Sequence, residues 1–384
     1  MRNPLSDKIV KIPPSGIRKF FDIVSEMKDA ISLGVGEPDF ETPWHIREEG
    51  IYSLEKGRTF YTSNAGLKPL KVEICEYLKR RCGVTYDPDQ EILVTVGGSE
   101  AIDIALRAML NEGDEVLIPQ PSYVSYMPCV TLADGVPVTI ELEEKDQFKL
   151  TPEKLLEKIT DKTKILVLPF PNNPTGALME REFLQEVAGI ARSVDAWLLC
   201  DEVYRGLNHE GEPFTASVAD LYEKGISTGS MSKTFSLAGL RLGWIAGPKA
   251  LLEQVSRHRD YSTISCGMID EYLAGIALEH KEAVIARNRA IVTGNLAVLE
   301  RWLKGQPKLS FVKPRAGTTA FLKMEFDMPS ADFCRGLLAE KGVLLVPGSV
   351  MDREGYLRIG YANTPEVIAA GLDKMGEYLA ELPL

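Results

Sequence analysis

The chain has 384 residues, of which 45% are hydrophobic and 26% are charged, and its formal net charge is −11. This composition is typical of a soluble globular protein, and the length predicts more than one domain. The acidic balance argues against nucleic acid as the main partner, and without an apolar run of about 18 residues we expect no membrane span.

The cysteine and histidine patterns argue against a disulfide framework and against a metal site. The six cysteines show no C-x-x-C spacing, and the four histidines form no pair four residues apart. The first residues also lack the apolar segment of a signal peptide. We therefore expect a cytoplasmic protein with reduced thiols and no metal ligands.

The middle of the chain alternates short apolar runs with helical patterns, which predicts a βα repeat. The runs lack polar alternation, as in strands that helices cover on both faces. Strands are predicted at 91–96, 115–118, 138–142, 164–168, 196–200, 226–228 and 242–246. Helices are predicted at 99–110, 123–132, 180–193 and 248–257.

A smaller unit follows a long helical segment at 266–303. Its predicted strands are 309–312, 319–324, 343–346 and 356–360, and its predicted helices are 331–341 and 364–381. The predicted fold is α/β, with a mostly parallel seven-stranded sheet covered by helices and a smaller α+β domain built from both termini. The predicted large domain is 45–285, and the small domain is 1–44 with 286–384, including an N-terminal arm.

Lys233 lies among hydroxyl and small residues, which suits a buried amine that serves a phosphorylated cofactor. Such an amine must spend time uncharged, and burial or a nearby cation lowers the pKa of a lysine. Ser230, Ser232 and Arg241 supply donors for an anionic phosphate. Taken alone, a lysine is most often a solvated surface residue, and it is the apolar, glycine-rich surroundings of Lys233 that argue for burial.

A second anion site is predicted where the first strand of the repeat passes into its helix. Gly98 allows close approach, and the backbone N–H groups of Ser99 and Glu100 lie at a helix start. The Glu100 side chain must then point away from the anion. A Gly-Gly-Ser turn without a ligand is the alternative.

Polar residues also follow the later strands of the repeat. Tyr123 is a candidate for stacking on a planar ring, or else an ordinary half-buried tyrosine. Asn173 lies in a rigid loop with three prolines and can donate to a ring oxygen. Asp201 ends an apolar strand and needs a partner such as a protonated pyridine nitrogen, with Tyr204 placed near the same ring.

Arg358, in the smaller unit, has apolar neighbours and is a candidate for bidentate carboxylate binding. A structural salt bridge is the alternative.

In their order and spacing, these motifs resemble those of the pyridoxal-phosphate-dependent fold-type I enzymes, specifically the class I and II aminotransferases of the aspartate aminotransferase superfamily. The resemblance covers nearly the whole chain. The resemblance rests on these motifs and residues: Leu-Gly-Val-Gly-Glu-Pro-Asp-Phe at 33–40, Tyr61, Asn-Pro-Thr-Gly at 173–176, Asp-Glu-Val-Tyr at 201–204, Ser-Met-Ser-Lys at 230–233, and Arg358.

The resemblance implies a role for each candidate. Lys233 would form the Schiff base and move the proton, and Asp201 would pair with the pyridine nitrogen. The resemblance also implies that Arg358, assisted by the backbone of Gly36 and by Asn173, binds the substrate's α-carboxylate. The other implied cofactor contacts are Tyr123 on the ring face, Asn173 and Tyr204 at the ring oxygen, and Gly98, Ser99, Glu100, Ser230, Ser232 and Arg241 at the phosphate.

The implied reaction moves an amino group from an L-amino acid to a 2-keto acid by a ping-pong mechanism. Because Tyr61 matches a tyrosine that reaches the neighbouring subunit's phosphate, a homodimer with shared active sites is implied. The segment 314–321 departs from the usual Pro-x-Gly-Ala-Phe-Tyr pattern, and 259–268 is also unusual. A different reaction on the same cofactor, such as β-elimination, cyclisation or oxidation of an arginine derivative, therefore stays open, and Arg18 or Arg315 remains a candidate for a distal carboxylate.

Overall fold

The structure is a computed structural model that describes residues 5–16, 30–34, 36–38, 40–218 and 221–382. Its helices lie at Asp7–Lys11, Trp44–Glu55, Lys68–Cys82, Gly97–Met109, Tyr126–Leu132, Pro152–Leu156, Arg181–Ser193, Lys249–Asp260, Met268–Glu279, Lys281–Leu303, Ser330–Lys341 and Pro365–Glu381. None of the helices in these described ranges is long and apolar enough to cross a membrane.

The strands, numbered in chain order, are β1 (Ile31–Ser32), β2 (Ile92–Thr95), β3 (Glu115–Gln120), β4 (Val136–Glu141), β5 (Thr163–Leu168), β6 (Trp197–Asp201), β7 (Gly225–Ser230), β8 (Gly243–Ala246), β9 (Leu309–Phe311), β10 (Thr319–Met324), β11 (Val343–Leu344), β12 (Val346–Pro347) and β13 (Tyr356–Gly360).

A seven-stranded sheet with the order β2-β8-β7-β6-β5-β3-β4 forms the centre of the described chain. β8 is antiparallel to both of its neighbours, and the other pairs are parallel. The predicted α/β fold with a mostly parallel seven-stranded sheet is confirmed.

Apolar residues on alternate sides of each strand explain why this sheet is covered on both faces. On β3, Leu117 belongs to one buried cluster, whereas Val116 and Ile118 belong to another. On β6, Leu198 and Leu199 are divided between the same two clusters. Because successive side chains point to opposite faces, a strand without polar alternation must be buried on both sides.

A smaller antiparallel sheet with the order β12-β13-β10-β9 lies in the C-terminal part. Its buried cluster includes Leu33, which follows β1, and β1 pairs with β11 through Ile31 and Val343. Both ends of the chain therefore contribute to the smaller α+β unit, as predicted. The domain bounds themselves stay a prediction.

Three of the predicted elements are divided or begin later in the structure, and the helices Trp44–Glu55 and Lys68–Cys82 were not predicted. The strand predicted at 343–346 is divided into β11 and β12, because β11 pairs with β1 whereas β12 pairs with β13. The helix predicted from Tyr123 begins at Tyr126. The long helical segment is divided at His280, whose backbone is not helical.

Candidate active site

A cavity of about 560 Å³ lies where β5, β6 and β7 end, beside β13 of the smaller sheet. Ligands of open α/β sheets bind at the carboxyl ends of the strands. The predicted site residues in its wall are Gly36, Gly98, Ser99, Tyr123, Asn173, Asp201, Tyr204, Ser230, Ser232, Lys233, Arg241 and Arg358. The structure thus brings together residues that are far apart in the sequence.

The phosphate end of the predicted site is built from the start of helix Gly97–Met109 and from Arg241. Gly97 has a φ of +74°, and a Cβ there would lie 2.5 Å from Nη2 of Arg241. Only glycine permits this contact, because a side chain would displace the guanidinium. The close approach places a cation beside backbone N–H groups that a helix start leaves without partners, an arrangement suited to an anion.

Two serines complete this end of the cavity. The Ser230 hydroxyl lies 2.8 Å from the Ser232 hydroxyl and accepts a hydrogen bond from the Ser232 N–H at 3.0 Å. The Glu100 side chain turns back to the Val96 N–H at 2.5 Å and is not in the cavity wall. Its carboxylate therefore points away from the cavity, as the sequence analysis required.

Asp201 provides a buried carboxylate, only 7% exposed. One oxygen accepts a hydrogen bond from the Tyr126 hydroxyl at 2.6 Å, and the other accepts from the Val203 N–H at 3.2 Å. Burial raises the pKa of Asp201, whereas these two donors lower it. Hydrogen bonds to an ionised carboxylate favour the charged form, so both donors oppose the cost of burial.

Tyr126 is a site residue that was not predicted from the sequence. It is 2% exposed, and its ring meets that of Tyr123 edge to face, with centroids 5.5 Å apart. One side chain thus contacts both the buried carboxylate and the predicted stacking ring. The available signal was its place three residues after Tyr123, in the same segment that follows β3.

Lys233 projects into the cavity from the loop after β7. Its Nζ donates to the carbonyl oxygen of Gly36 at 2.8 Å. Burial, followed by the positive charge of Arg358, lowers the pKa of Lys233 to about 8. The lysine is therefore prepared to lose a proton near neutral pH, as the predicted chemistry requires.

Arg358 is buried and held from two sides. Nη2 donates to the Gly34 carbonyl at 2.7 Å, and Nη1 donates to Oδ1 of Asn173 at 3.2 Å. Its Nε has no hydrogen-bond partner among the described residues. Among the residues that the structure describes, Arg358 has no carboxylate partner, so it does not form the structural salt bridge that the sequence left open, and its orphan donor fits an anionic ligand.

Tyr204 is buried in the wall of the same cavity. Burial raises its pKa to about 12, and its hydroxyl lies 3.7 Å from the position that a Cβ on Gly36 would take. At neutral pH, Tyr204 is therefore a hydrogen-bond donor.

Three candidates are not brought to the cavity. Tyr61 is 82% exposed and lies outside the cavity wall of its own chain. Arg315 forms an ion pair with Glu180 and does not line the cavity. Arg18, with much of the N-terminal arm, lies outside the described residues.

The comparisons with known proteins agree on one family. The family model for aminotransferase class I and II matches residues 28–374. The chain is 38% identical to the putative aminotransferase YugH of Bacillus subtilis and 36% identical to aromatic-amino-acid aminotransferase 2 of Thermococcus litoralis, covering 99% of each chain in both cases. The structure of aspartate aminotransferase from Thermus thermophilus with maleate matches with a TM-score of 0.92 at 31% identity, covering 98% of this chain and 100% of that one.

The chain therefore belongs to the class I and II aminotransferases of the pyridoxal-phosphate-dependent fold-type I superfamily. It is an enzyme that depends on pyridoxal phosphate and transfers amino groups. The cavity fits this cofactor: the cradle at Gly97 and Arg241 suits the phosphate, and the buried carboxylate of Asp201, held by two hydrogen-bond donors, suits a protonated ring nitrogen.

The lowered pKa of Lys233 predicts a distinctive labelling profile in the cofactor-free protein. Only the neutral amine reacts with acetic anhydride, so acetylation of Lys233 should rise through a midpoint near pH 8, whereas ordinary lysines titrate at about 10.4. Mass spectrometry of the Lys233 peptide measures this profile. In Arg358→Met, the loss of the neighbouring positive charge should move the midpoint upward, and an unchanged midpoint would contradict the assigned cause.

Proposed function

We propose that the enzyme moves the amino group of an L-amino acid to a 2-keto acid in two half-reactions at the same cavity. The observation that carries this proposal is the placement of Lys233, Asp201 and Arg358 in one wall, with the amine of Lys233 free to change its protonation state. Pyridoxal phosphate supplies an aldehyde that bonds to amines and a ring that accepts the electron pair left at the α-carbon.

Arg358 binds the α-carboxylate of the substrate. Its orphan Nε and its buried, doubly held guanidinium favour an anion brought in by the substrate. Asn173 and the backbone of Gly36 line the same region. A carboxylate held there fixes where the α-carbon lies relative to Lys233.

Lys233 acts as the proton carrier. Its Nζ contacts the Gly36 carbonyl next to the proposed carboxylate site, so it lies within reach of a proton on the α-carbon. The neutral amine takes that proton, and the resulting ammonium returns it to another carbon. Because Arg358 helps to lower the pKa of Lys233, the carboxylate site and the base are electrostatically coupled.

Asp201 would keep the ring nitrogen protonated, and Tyr204 and Asn173 would hold the ring oxygen. Tyr123 would cover the ring face. Arg241 would hold the phosphate together with the backbone N–H of Glu100 and with residues that line the cavity: Gly98, Ser99, Ser230 and Ser232. These residues hold the cofactor without taking part in bond breaking.

The proposed active enzyme is a homodimer with shared sites. Phe60 and Tyr61 are large and exposed, at 75% and 82%, and Tyr261 is 94% exposed. Exposed aromatic residues of this size favour a protein interface. In this assembly, Tyr61 reaches the phosphate in the neighbouring subunit, which accounts for its absence from the cavity of its own chain.

The proposed domain division is 45–285 for the cofactor domain, with 1–44 and 286–384 forming the small domain. It is supported by one buried cluster confined to the small domain and another confined to the cofactor domain. A cytoplasmic location is also proposed, because Cys75, Cys200 and Cys334 are buried free thiols, which suit a reducing compartment.

A half-reaction test separates amino-group transfer from other reactions at the same α-carbon. The purified holoenzyme is mixed with one amino acid and no keto acid, using aspartate, phenylalanine and arginine in separate experiments. We expect a single stoichiometric turnover that converts the cofactor to its amine form, followed by full recovery of the starting absorbance when 2-oxoglutarate is added. Continuous release of ammonia or consumption of oxygen without keto acid would overturn the proposal.

A further inference from the structure

Arg259 is a buried cation behind the phosphate end of the site, and the reaction described above does not use it. It is 1% exposed and lies in helix Lys249–Asp260. Nη1 donates to the carbonyl oxygen of Val94 in β2, and Nη2 lies 3.1 Å from Sγ of Cys266. A fully buried guanidinium is costly unless nearby negative charge compensates it.

The compensating charge includes Glu100, a residue of the phosphate-side helix itself. Its Oε2 lies 3.6 Å from Nη1 of Arg259 and accepts the Val96 N–H, while Oε1 accepts the hydroxyl of Thr263. The same residue is proposed to offer its own N–H to the phosphate. The carboxylate and the phosphate therefore compete for the positive field of one helix start.

Two negative groups at one helix start repel each other, and the repulsion is strong where water is excluded. The guanidinium of Arg241, which is part of the cavity wall, lies against Gly97, where the phosphate is proposed to bind. Arg259 does not line the cavity; it is buried, and its charge neutralises Glu100. With the Glu100 charge neutralised, the backbone N–H groups at the helix start can bind the phosphate without repulsion from this carboxylate.

We propose that Arg259 is a positioning residue for cofactor binding: it masks the carboxylate of Glu100 so that the phosphate can occupy the start of helix Gly97–Met109. This inference rests on the proposed phosphate contacts. It assigns to a buried arginine an effect on the phosphate alone, and not on the ring or on the substrate.

A second carboxylate allows this effect to be separated from simple stability. Glu271 is also 1% exposed and is influenced by the charge of Arg259, but it binds the Thr62 hydroxyl at 2.6 Å and the Leu67 N–H at 2.5 Å. It therefore holds the segment after Tyr61 and not the helix start. When Arg259 is replaced, neutralising Glu271 should remove one unpaired buried negative charge but should not improve phosphate binding.

The test measures equilibrium binding to cofactor-free protein by fluorescence quenching. The ligands are pyridoxal phosphate, pyridoxal without the phosphate, and inorganic phosphate as a competitor. Arg259→Met should weaken pyridoxal phosphate and inorganic phosphate by about tenfold or more, while pyridoxal changes by less than about twofold. Arg257→Met, on the exposed face of the same helix, is the matched control and should change none of the three.

Two double variants decide between masking and a general structural role. Arg259→Met/Glu100→Gln should recover most of the lost phosphate affinity, whereas Arg259→Met/Glu271→Gln should recover thermal stability without phosphate affinity. Equal weakening of pyridoxal and pyridoxal phosphate, or equal recovery by both second substitutions, would overturn the proposal.

If Arg259→Met does not fold, Glu100→Gln alone provides the test. It keeps the backbone N–H and removes the masked charge, so the affinity for inorganic phosphate should stay the same or rise, and a fall would contradict the inference. Failure of the proposed reaction would appear in the turnover of the unmodified holoenzyme, whereas these measurements involve no turnover. The two failures are therefore distinguishable.

Discussion

Lys233→Ala is expected to reduce turnover by at least about 10³-fold, because the substitution removes both the amine that bonds to the cofactor and the carrier of the α-proton. The remaining wall of the cavity is untouched, so the variant should still bind pyridoxal phosphate. Steady-state kinetics measure the loss. Borohydride reduction followed by mass spectrometry should fix the cofactor to the unmodified chain and not to the variant.

Lys249→Ala, an exposed lysine at the start of helix Lys249–Asp260, is the matched control and should keep full activity. Added methylamine should partly restore turnover of Lys233→Ala, because a small amine can enter the space left by the side chain and carry the proton. Retention of full turnover by Lys233→Ala would refute the whole assignment of the site.

Mixing Lys233→Ala with Tyr61→Ala tests whether each active site is shared between two subunits. In a mixed dimer, one cavity has Lys233 from one chain and Tyr61 from its partner, so it contains both functional residues. Random remixing of equal amounts after mild dissociation makes about half of the dimers mixed, each with one complete cavity of two. It should therefore recover up to about a quarter of the normal activity at limiting cofactor. If each subunit used its own Tyr61, the mixture would be no more active than the sum of its parts.

Asp201→Asn is expected to lower kcat by about 10²-fold or more with little change in KM, because the amide cannot stabilise a positive charge on the ring nitrogen. Tyr126→Phe should act in the same direction but more weakly, since it removes only the hydroxyl that stabilises the ionised carboxylate. The pH dependence of the cofactor absorbance should shift in both variants.

Glu202→Gln provides the contrast, since it changes the neighbouring carboxylate. Glu202 is buried and paired with Arg205 at 2.5 Å, and Ser217 donates to the same oxygen at 3.1 Å. Its substitution should destabilise the fold by about 3 kcal/mol while the cofactor spectrum stays normal. If Glu202→Gln shifted the spectrum as strongly as Asp201→Asn, the special role of Asp201 would be wrong.

The sheet and much of the cavity could be predicted because strand ends carry a strong local signal. Asp201 follows an apolar run, and Lys233 lies in a polar loop after another, so their meeting at one edge follows from parallel strands. The helices Trp44–Glu55 and Lys68–Cys82 were not predicted. In the first of them Trp44 and Ile51 are exposed, so its apolar residues do not mark a single buried face.

Tyr126 and Arg259 could not be found in the same way, because their importance depends on contacts across the fold. Tyr126 meets Asp201 from 75 residues away, and Arg259 meets Val94 from 165 residues away. In the sequence, each is an ordinary member of an amphipathic helix. Only the packing of those helices against the sheet shows which side chains reach the site.

The hydrogen bond between Arg358 and the Gly34 carbonyl has a consequence for the order in which the two parts of the site form during synthesis. Strands β2 to β8 leave the ribosome before Arg358, whose hydrogen bond to the Gly34 carbonyl joins residues 324 positions apart. The phosphate cradle can therefore form on a nascent chain that has no carboxylate site. Pyridoxal phosphate then has a place to bind, and to stabilise the growing protein, before any amino acid can be processed.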